Sequence, residues 1–146
     1  MFTESVKILG NLDVTLLDSD GIVKDTRSIK NLVVAVGKDL IASRLVGNSL
    51  PIPSHMALGS SSTAAATSQT ALGSELGRVA LDSTSRTNNT IAYVATFSAG
   101  TATGSVEEAG IFNAGSSGNM LCRTTFSAVN KAAGDTVVVT WNVTVA

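Results

Sequence analysis

The sequence predicts a mainly β protein, an antiparallel β-sandwich or jelly-roll-like body with one short helix. Three observations lead to this fold class. The second half of the chain consists of strand-length runs rich in β-branched residues and separated by turn residues. Two of these runs alternate apolar and polar residues with the two-residue period of a half-buried strand. The length of 146 residues is that of one domain, so we expect a single β domain over residues 1–146.

Five strands are predicted between residue 77 and residue 145. Short clusters of Gly, Asn, Ser, Ala and Asp separate them and supply the turn chemistry. Several short strands at this spacing are typical of sandwiches and jelly rolls. The predicted strands are residues 77–85, 90–97, 106–112, 120–129 and 136–145.

The alternation also predicts which side chains of two strands face the core, because successive strand residues point to opposite faces. The inward residues of the run 90–97 are expected to be Ile91, Tyr93, Ala95 and Phe97. Those of the run 136–145 are expected to be Val137, Val139, Trp141, Val143 and Val145, with Val138 as the one apolar residue on the outer face.

The first 50 residues are expected to form a hairpin and the helix. Residues 6–31 alternate around the turn sequence Asp-Ser-Asp-Gly at 18–21, which predicts a β-hairpin with Gly21 at positive φ. A helix is predicted from the segment opened by residues 37–39, with Leu40, Ile41 and Leu45 on one face, Lys38 and Arg44 outside, and a stop at Gly47-Asn48.

Residues 51–76 are expected to be a connector within the domain. Pro51 and Pro53 favour an extended backbone. Residues 59–73 are almost entirely Ser, Thr, Ala and Gly, and side chains of this size bury little area. We expect this segment to be either a mobile loop or an arm that packs on a neighbouring molecule.

Composition excludes several classes of partner. The net charge is −1, from 10 basic and 11 acidic residues, and only 14% of residues are charged, against about 25% in an average protein. No basic patch indicates nucleic-acid binding, and no apolar run is long enough for a membrane helix.

The N-terminal residues lack the pattern of a secretory signal. The single cysteine, Cys122, excludes an intrachain disulfide, which suits folding in a reducing cytoplasm.

Few residues are candidates for catalysis or ligand binding. His55 is the one histidine and Cys122 the one cysteine, so a His/Cys metal set is not available. Glu107 and Glu108 could divide acid and base roles in glycoside hydrolysis, but neighbouring strand residues point to opposite faces. We therefore expect no catalytic residue, no cofactor and no metal, and interpret the protein as non-enzymatic.

Four phrases of the sequence resemble a module found among small structural proteins of tailed bacteriophages. The resemblance covers roughly residues 30 to 146. Its phrases are His-Met-Ala-Leu-Gly at 55–59, followed by Ser/Thr/Ala residues and Glu-Leu-Gly-Arg at 75–78; Glu-Ala-Gly-Ile-Phe at 108–112; Met-Leu-Cys-Arg-Thr-Thr-Phe at 120–126; and Val-Thr-Trp at 139–141.

The resemblance implies a component of the virion, made in the host cytoplasm. The function expected first is that of a capsid decoration or cement protein that stabilises the head shell through contacts with the major capsid protein and as a homo-oligomer. The alternative is a tail-fibre, baseplate or receptor-binding component that contacts tail proteins. A virion glycan hydrolase is the third class, and loss of activity on substitution of Glu107 or Glu108 would distinguish it.

Arg78 and Arg123 are the charged residues most informative for such contacts. Each lies in an otherwise uncharged strand and can pair with Glu75, Glu107 or Glu108. Two arrangements are open, an ordinary surface ion pair and a pair across an interface between subunits. The candidate interface residues are therefore Arg78, Arg123, Glu107 and Glu108.

Overall fold

A computed structural model describes residues 4–47 and 50–146. The described residues form ten strands and one helix. In chain order these are β1 Ile8–Leu17, β2 Val23–Lys30, β3 Leu32–Val33, α1 Ala35–Leu45, β4 His55–Gly59, β5 Glu75–Ala80, β6 Ser83–Thr87, β7 Thr90–Phe97, β8 Gly104–Phe112, β9 Met120–Lys131 and β10 Thr136–Val145.

The strands form two five-stranded antiparallel sheets that pack as a β-sandwich, which confirms the predicted fold class. The strand order of the first sheet is β2-β1-β10-β7-β6, and that of the second is β3-β9-β8-β4-β5. The N-terminal 50 residues contribute to both sheets, because β1 and β2 lie in the first and β3 pairs with β9 in the second. The predicted hairpin plus helix is therefore part of the same body as the later strands.

The core lies between the two sheets. Leu12, Phe97 and Trp141 of the first sheet meet Leu58 and Ile111 of the second in one cluster of buried side chains. The predicted inward residues of β7 and β10 lie in this core or at its edge, with the exception of Val145, which is 39% exposed. Alternation thus predicted the core face of both strands except at the end of β10.

Residues 77–85 form two strands, where the sequence predicts one. The chain leaves the second sheet at the end of β5 and enters the first sheet at β6. The corner is fixed by two backbone hydrogen bonds, from the Leu81 amide to the Ser54 carbonyl at 2.9 Å and from the Asp82 amide to the Val94 carbonyl at 2.7 Å. Asp82 is the one turn-forming residue between the two strands, too weak a signal to divide the run, so the change of sheet depends on these backbone partners.

The predicted connector at residues 51–76 contains an interior strand of the second sheet. β4 lies between β8 and β5, and Met56, Ala57 and Leu58 are all fully buried. A strand covered on both faces has no polar alternation, which is why the sequence pattern did not reveal it.

Helix α1 begins at Ala35, two residues before the predicted opening at Gly37. Leu40 is buried, and Lys38 and Arg44 are exposed as predicted, but Leu45 is 85% exposed. Leu45 is the last residue of the helix, and no element of the described chain covers it. Asn48, the second residue of the predicted stop, lies outside the described residues.

Candidate functional site

A buried ion pair links β8 and β9, two adjacent interior strands of the second sheet. The Arg123 guanidinium of β9 donates from Nε and Nη2 to Oε1 of Glu108 on β8, at 3.1 and 2.9 Å. The side chains are 1% and 0% exposed, respectively. The strands bring these residues close because β9 pairs with β8 at Arg123 and Gly110, two residues from Glu108.

The Ser/Thr/Ala-rich segment folds back over this ion pair. We call residues 60–74 the strap. Oε2 of Glu108 accepts from the amides of Ser61 and Ser74 at 2.9 and 2.8 Å, and Oε1 also accepts from the amide of Gly73 at 2.8 Å. With the two bonds from Arg123, the carboxylate receives five hydrogen bonds.

Arg123 holds the middle of the strap. Its Nη1 donates to the carbonyl of Thr63 at 2.9 Å and to the side-chain oxygen of Gln69 at 3.0 Å. The same Gln69 oxygen accepts from the amide of Ala66, and the carbonyl of Thr67 accepts from the amide of Ala35 at the start of α1. The strap has no helix or strand, yet its backbone is tied to its own chain along its length. The two expected forms, a mobile loop and an arm on a neighbour, did not include these contacts within the chain.

Small residues give the strap room beside the sheet. A Cβ atom at Gly59 would lie 2.5 Å from the Ser74 carbonyl oxygen and 2.6 Å from Oε2 of Glu108. At Gly110, a Cβ atom would lie 3.0 Å from the side chain of Leu72 in the strap. With glycine at position 110, Leu72 can pack on a second, smaller core on the outer side of this sheet. This core is formed by Val34, Ala57, Phe112 and Met120.

Arg78 also contributes contacts within its own subunit. Its guanidinium lies 3.7 Å from the centroid of the Phe112 ring. Nη1 donates to the carbonyls of Ala114 and Ser117 at 3.0 and 2.9 Å, and Nη2 pairs with Glu75 at 2.7 Å. Arg78 therefore holds the loop between β8 and β9 against the sheet.

The four candidate interface residues are thus placed differently from one another. Glu108 and Arg123 are buried within one subunit, which corrects the expectation of a surface or interface bridge for this pair. The Arg78 side chain is 8% exposed, and Glu107 is half-buried. A single Arg and a pair of adjacent Glu residues in otherwise uncharged strands were the available sequence signal. The chain separation of 47 residues between Glu108 and Ser61 hid the role of the strap.

The other candidates for chemistry are also accounted for by packing. Cys122 is fully buried, and burial raises the pKa of its thiol well above the ordinary value. The His55 ring accepts or donates at Nδ1 to the neighbouring Ser54 hydroxyl at 2.8 Å. Over residues 4–47 and 50–146, no group of three His, Cys, Asp or Glu side chains is arranged to hold a metal ion.

A surface groove opens at the end of the first sheet where β1 begins and β10 ends. It has a volume of about 400 Å³ and lies between α1, the first sheet and residues 52–53. We call it the apolar groove. Leu45 and Ile52, which line it, are 85% and 56% exposed, and burial raises the pKa of Tyr93, also in its lining, to about 12.

The charged side chains in the lining of the apolar groove are Arg44 and Arg86. Arg44 donates to the carbonyl of Leu50 and Arg86 to that of Asn88. Among the described residues, neither guanidinium forms a salt bridge with a carboxylate. The groove therefore combines an uncovered apolar surface with two cationic groups.

No protein-family model matches this chain, and comparisons with curated proteins and with solved structures also give no match. In the part of the chain that the structure describes, no helix is long and apolar enough to cross a membrane.

Proposed function

We propose that this chain is a non-enzymatic structural subunit of a tailed-phage virion, and that it acts on the head as a capsid decoration protein. In this role it binds the major capsid protein and ties neighbouring shell subunits together. The observation that carries the proposal is the uncovered apolar surface around Leu45 and Ile52 on a protein with few charges. Exposed apolar patches of this kind mark protein interaction sites.

The phrases that resemble phage structural proteins support the virion part of the proposal. Three of them, residues 55–59, 108–112 and 120–126, fall on β4, β8 and β9, which are neighbours in the second sheet. Their distinctive residues have structural roles here: Glu108 and Arg123 hold the strap, and Gly110 leaves space for Leu72. These three phrases therefore correspond to neighbouring strands of one sheet and to the residues that hold the strap on it.

The hydrogen bonding and burial of Glu108 support a structural role over a hydrolytic one. Both oxygens of Glu108 are occupied by hydrogen bonds from the strap and Arg123. An acid or base in glycoside hydrolysis must reach the scissile bond. Glu108 lies fully buried beneath the strap, so its carboxylate is committed to the fold.

A free sheet edge beside the apolar groove gives further groups for shell contacts, since Thr84, Ser85 and Arg86 of β6 also line the groove. β6 is the outer strand of the first sheet, and all five of its residues are exposed. Thr87 and Thr90 flank a two-residue turn and pair with each other. Hydrogen-bonded and non-hydrogen-bonded pairs alternate from this pair along the strands, so the N–H and C=O groups of Thr84 and Arg86 point away from β7. An extended segment of a capsid subunit can pair with these groups.

Purified virions test the proposal. We expect the protein on the outer surface of the head, cross-linked to the major capsid protein, in a number comparable to that of the shell subunits. If the protein is instead present in as few copies as a single small ring at the tail contains, the decoration role is overturned. That result would favour the tail-fibre, baseplate or receptor-binding alternative. Absence from virions would overturn both.

The β6 edge provides a variant with a matched control. Thr84→Pro removes an outward-facing amide without removing a hydrogen bond to β7, and Thr84→Val keeps that amide. We expect the proline variant to fold but to be incorporated into heads less than the valine variant. Equal incorporation of the two would show that the β6 edge does not contact the shell.

A further inference from the structure

A second surface of this molecule complements the apolar groove, and it lies at the opposite end of the first sheet. β1 runs from Ile8, in the lining of the groove, to Leu17, at the turn into β2. Ten residues of strand span about 33 Å. The turn therefore lies roughly the length of the sandwich away from the groove. We call residues 18–23 the hairpin tip.

The hairpin tip exposes two large aliphatic side chains beside two carboxylates. Ile22 is 63% exposed and Val23 is 55% exposed. Asp18 and Asp20 lie in the same turn, and within the described residues neither forms a salt bridge. The other charges nearby are paired, Lys24 with Asp135 and Asp25 with Arg27.

The conformation of the hairpin tip is fixed within the subunit. Oδ1 of Asp18 accepts from the amides of Asp20 and Ile22, both at 2.9 Å. The amide of Asp18 donates to the Ile22 carbonyl at 2.9 Å, and Gly21 has a φ of 79°, which glycine adopts without strain. A surface that is ordered before it binds loses little conformational entropy on binding.

The two surfaces match in chemistry. The groove offers apolar walls and the cations Arg44 and Arg86, and the tip offers Ile22, Val23 and carboxylates. A cavity of about 150 Å³ accepts one benzene molecule, so the groove volume of about 400 Å³ has room for two aliphatic side chains. Opposite charges at the rim favour encounter and fix the orientation of the contact.

We propose that the hairpin tip of one copy of this chain docks in the apolar groove of the next copy. Ile22 and Val23 enter the groove, and the tip carboxylates face Arg44 and Arg86. Because the two surfaces differ and lie at opposite ends of the subunit, the contact is heterologous. Repetition of such a contact gives a head-to-tail ring or filament. The contact assigns the apolar groove to a second copy of this chain, as in a homo-oligomer, and leaves the outward main-chain groups of β6 for contacts with the shell. It can be tested on the isolated chain.

Sedimentation of the purified chain tests this contact. We expect the weight-average mass of the wild type to rise with concentration in the range up to about 1 mM, where weak interfaces are populated. The tip variant Ile22→Ser with Val23→Ser and the groove variant Leu45→Ser with Ile52→Ser should each weaken association at least about tenfold. Val6→Ser replaces another exposed apolar residue, 71% exposed and outside the groove lining, and should associate as the wild type does.

Mixing the two variants tests the head-to-tail arrangement. The tip variant keeps an intact groove, and the groove variant keeps an intact tip, so an equimolar mixture should form a heterodimer and nothing larger. A wild type that stays monomeric, variants that associate like the wild type, or a mixture without heterodimers would each overturn the proposal. The virion copy number decides the proposed function separately, since it is measured on particles.

Discussion

The guanidinium of Arg123 and the carboxylate of Glu108 form a buried ion pair at 2.9 Å that also supports the strap. Each member bonds to strap backbone: Glu108 accepts from amides, and Arg123 donates to a carbonyl. The pair thus supplies the polar partners that a segment of small residues cannot obtain from burial of its own side chains. Buried polar groups with complete hydrogen bonding fix a unique arrangement.

Removal of one member of this pair should be costly, because it leaves the other charge buried without its partner. We expect Arg123→Met and Glu108→Gln each to lower the free energy of unfolding by about 3–5 kcal/mol. The double variant should lose less than the sum of the two. Urea unfolding measures all three, and Glu107→Gln, at the half-buried neighbour, is the control with an expected change of about 0.5 kcal/mol or less. A Glu108→Gln variant as stable as the wild type would contradict the ion-pair assignment.

Gly59→Ala should displace the strap. The new Cβ atom would meet the Ser74 carbonyl and the Glu108 carboxylate, and neither can move without loss of a hydrogen bond. We expect a destabilisation of about 1–3 kcal/mol and faster proteolysis within residues 60–74. The matched control is Gly134→Ala, where the nearest atom is the Ser19 Cβ at 3.8 Å, an ordinary contact. Equal protease resistance of the two variants would show that the strap tolerates the added methyl.

Asn31→Ala should destabilise the core around Trp141. The Trp141 Nε1 donates to Oδ1 of Asn31 at 2.8 Å, and the indole is fully buried. An unpaired buried donor costs about 1–3 kcal/mol. Thermal unfolding and the fluorescence of this single tryptophan measure the effect, with Asn130→Ala at an exposed position as the control. A melting temperature equal to that of the control would contradict this role of Asn31.

Asp135 should contribute a pH-dependent part of stability. Its hydrogen bond with Lys24, followed by that from the Ala132 amide, lowers the pKa of the Asp135 carboxyl below its ordinary value of 3.8. A lowered folded-state pKa stabilises the protein above pH 3.8, and this stabilisation is lost as the pH falls through the lowered pKa. The difference in stability between the wild type and Asp135→Asn should therefore be largest near neutral pH and shrink in acid.

Unfolding titrations at several pH values measure this difference, with Asp39→Asn on the exposed side of α1 as the control. If the difference in free energy of unfolding between the wild type and Asp135→Asn stays constant down to the lowest pH at which both are folded, the stabilising role of the Asp135 carboxylate is contradicted.

Local patterns in the sequence were sufficient to predict the strands β7 and β10. Both lie at the predicted bounds, 90–97 and 136–145, because one face of each is buried and the two-residue period records this directly. The β1–β2 hairpin was predictable for the same reason, together with the turn chemistry of residues 18–21. The expectation that Glu107 and Glu108 point to opposite faces assumed a regular strand, and the pairing of β8 with β9 is irregular between Val106 and Glu108.

The features of the fold that the sequence did not predict depend on contacts with residues far away in the chain. β4 carries no alternation because both of its faces are covered, and residues 77–85 change sheets where β5 and β6 find different neighbours. Sequence patterns also assigned Glu108 and Arg123 to a surface, since charged residues are rarely buried.

The sequence by itself predicted a mainly β protein of sandwich or jelly-roll type, since the alternation period and the turn residues are local properties of the chain, and the structure confirms a mainly β sandwich. Only the tertiary structure decided that Glu108 and Arg123 are interior residues, that the small-residue segment is a strap on its own chain, and that Leu45 remains exposed. Burial is a property of every element that packs on a residue. The elements around Glu108 come from segments as far as 47 residues away, so no local pattern records them.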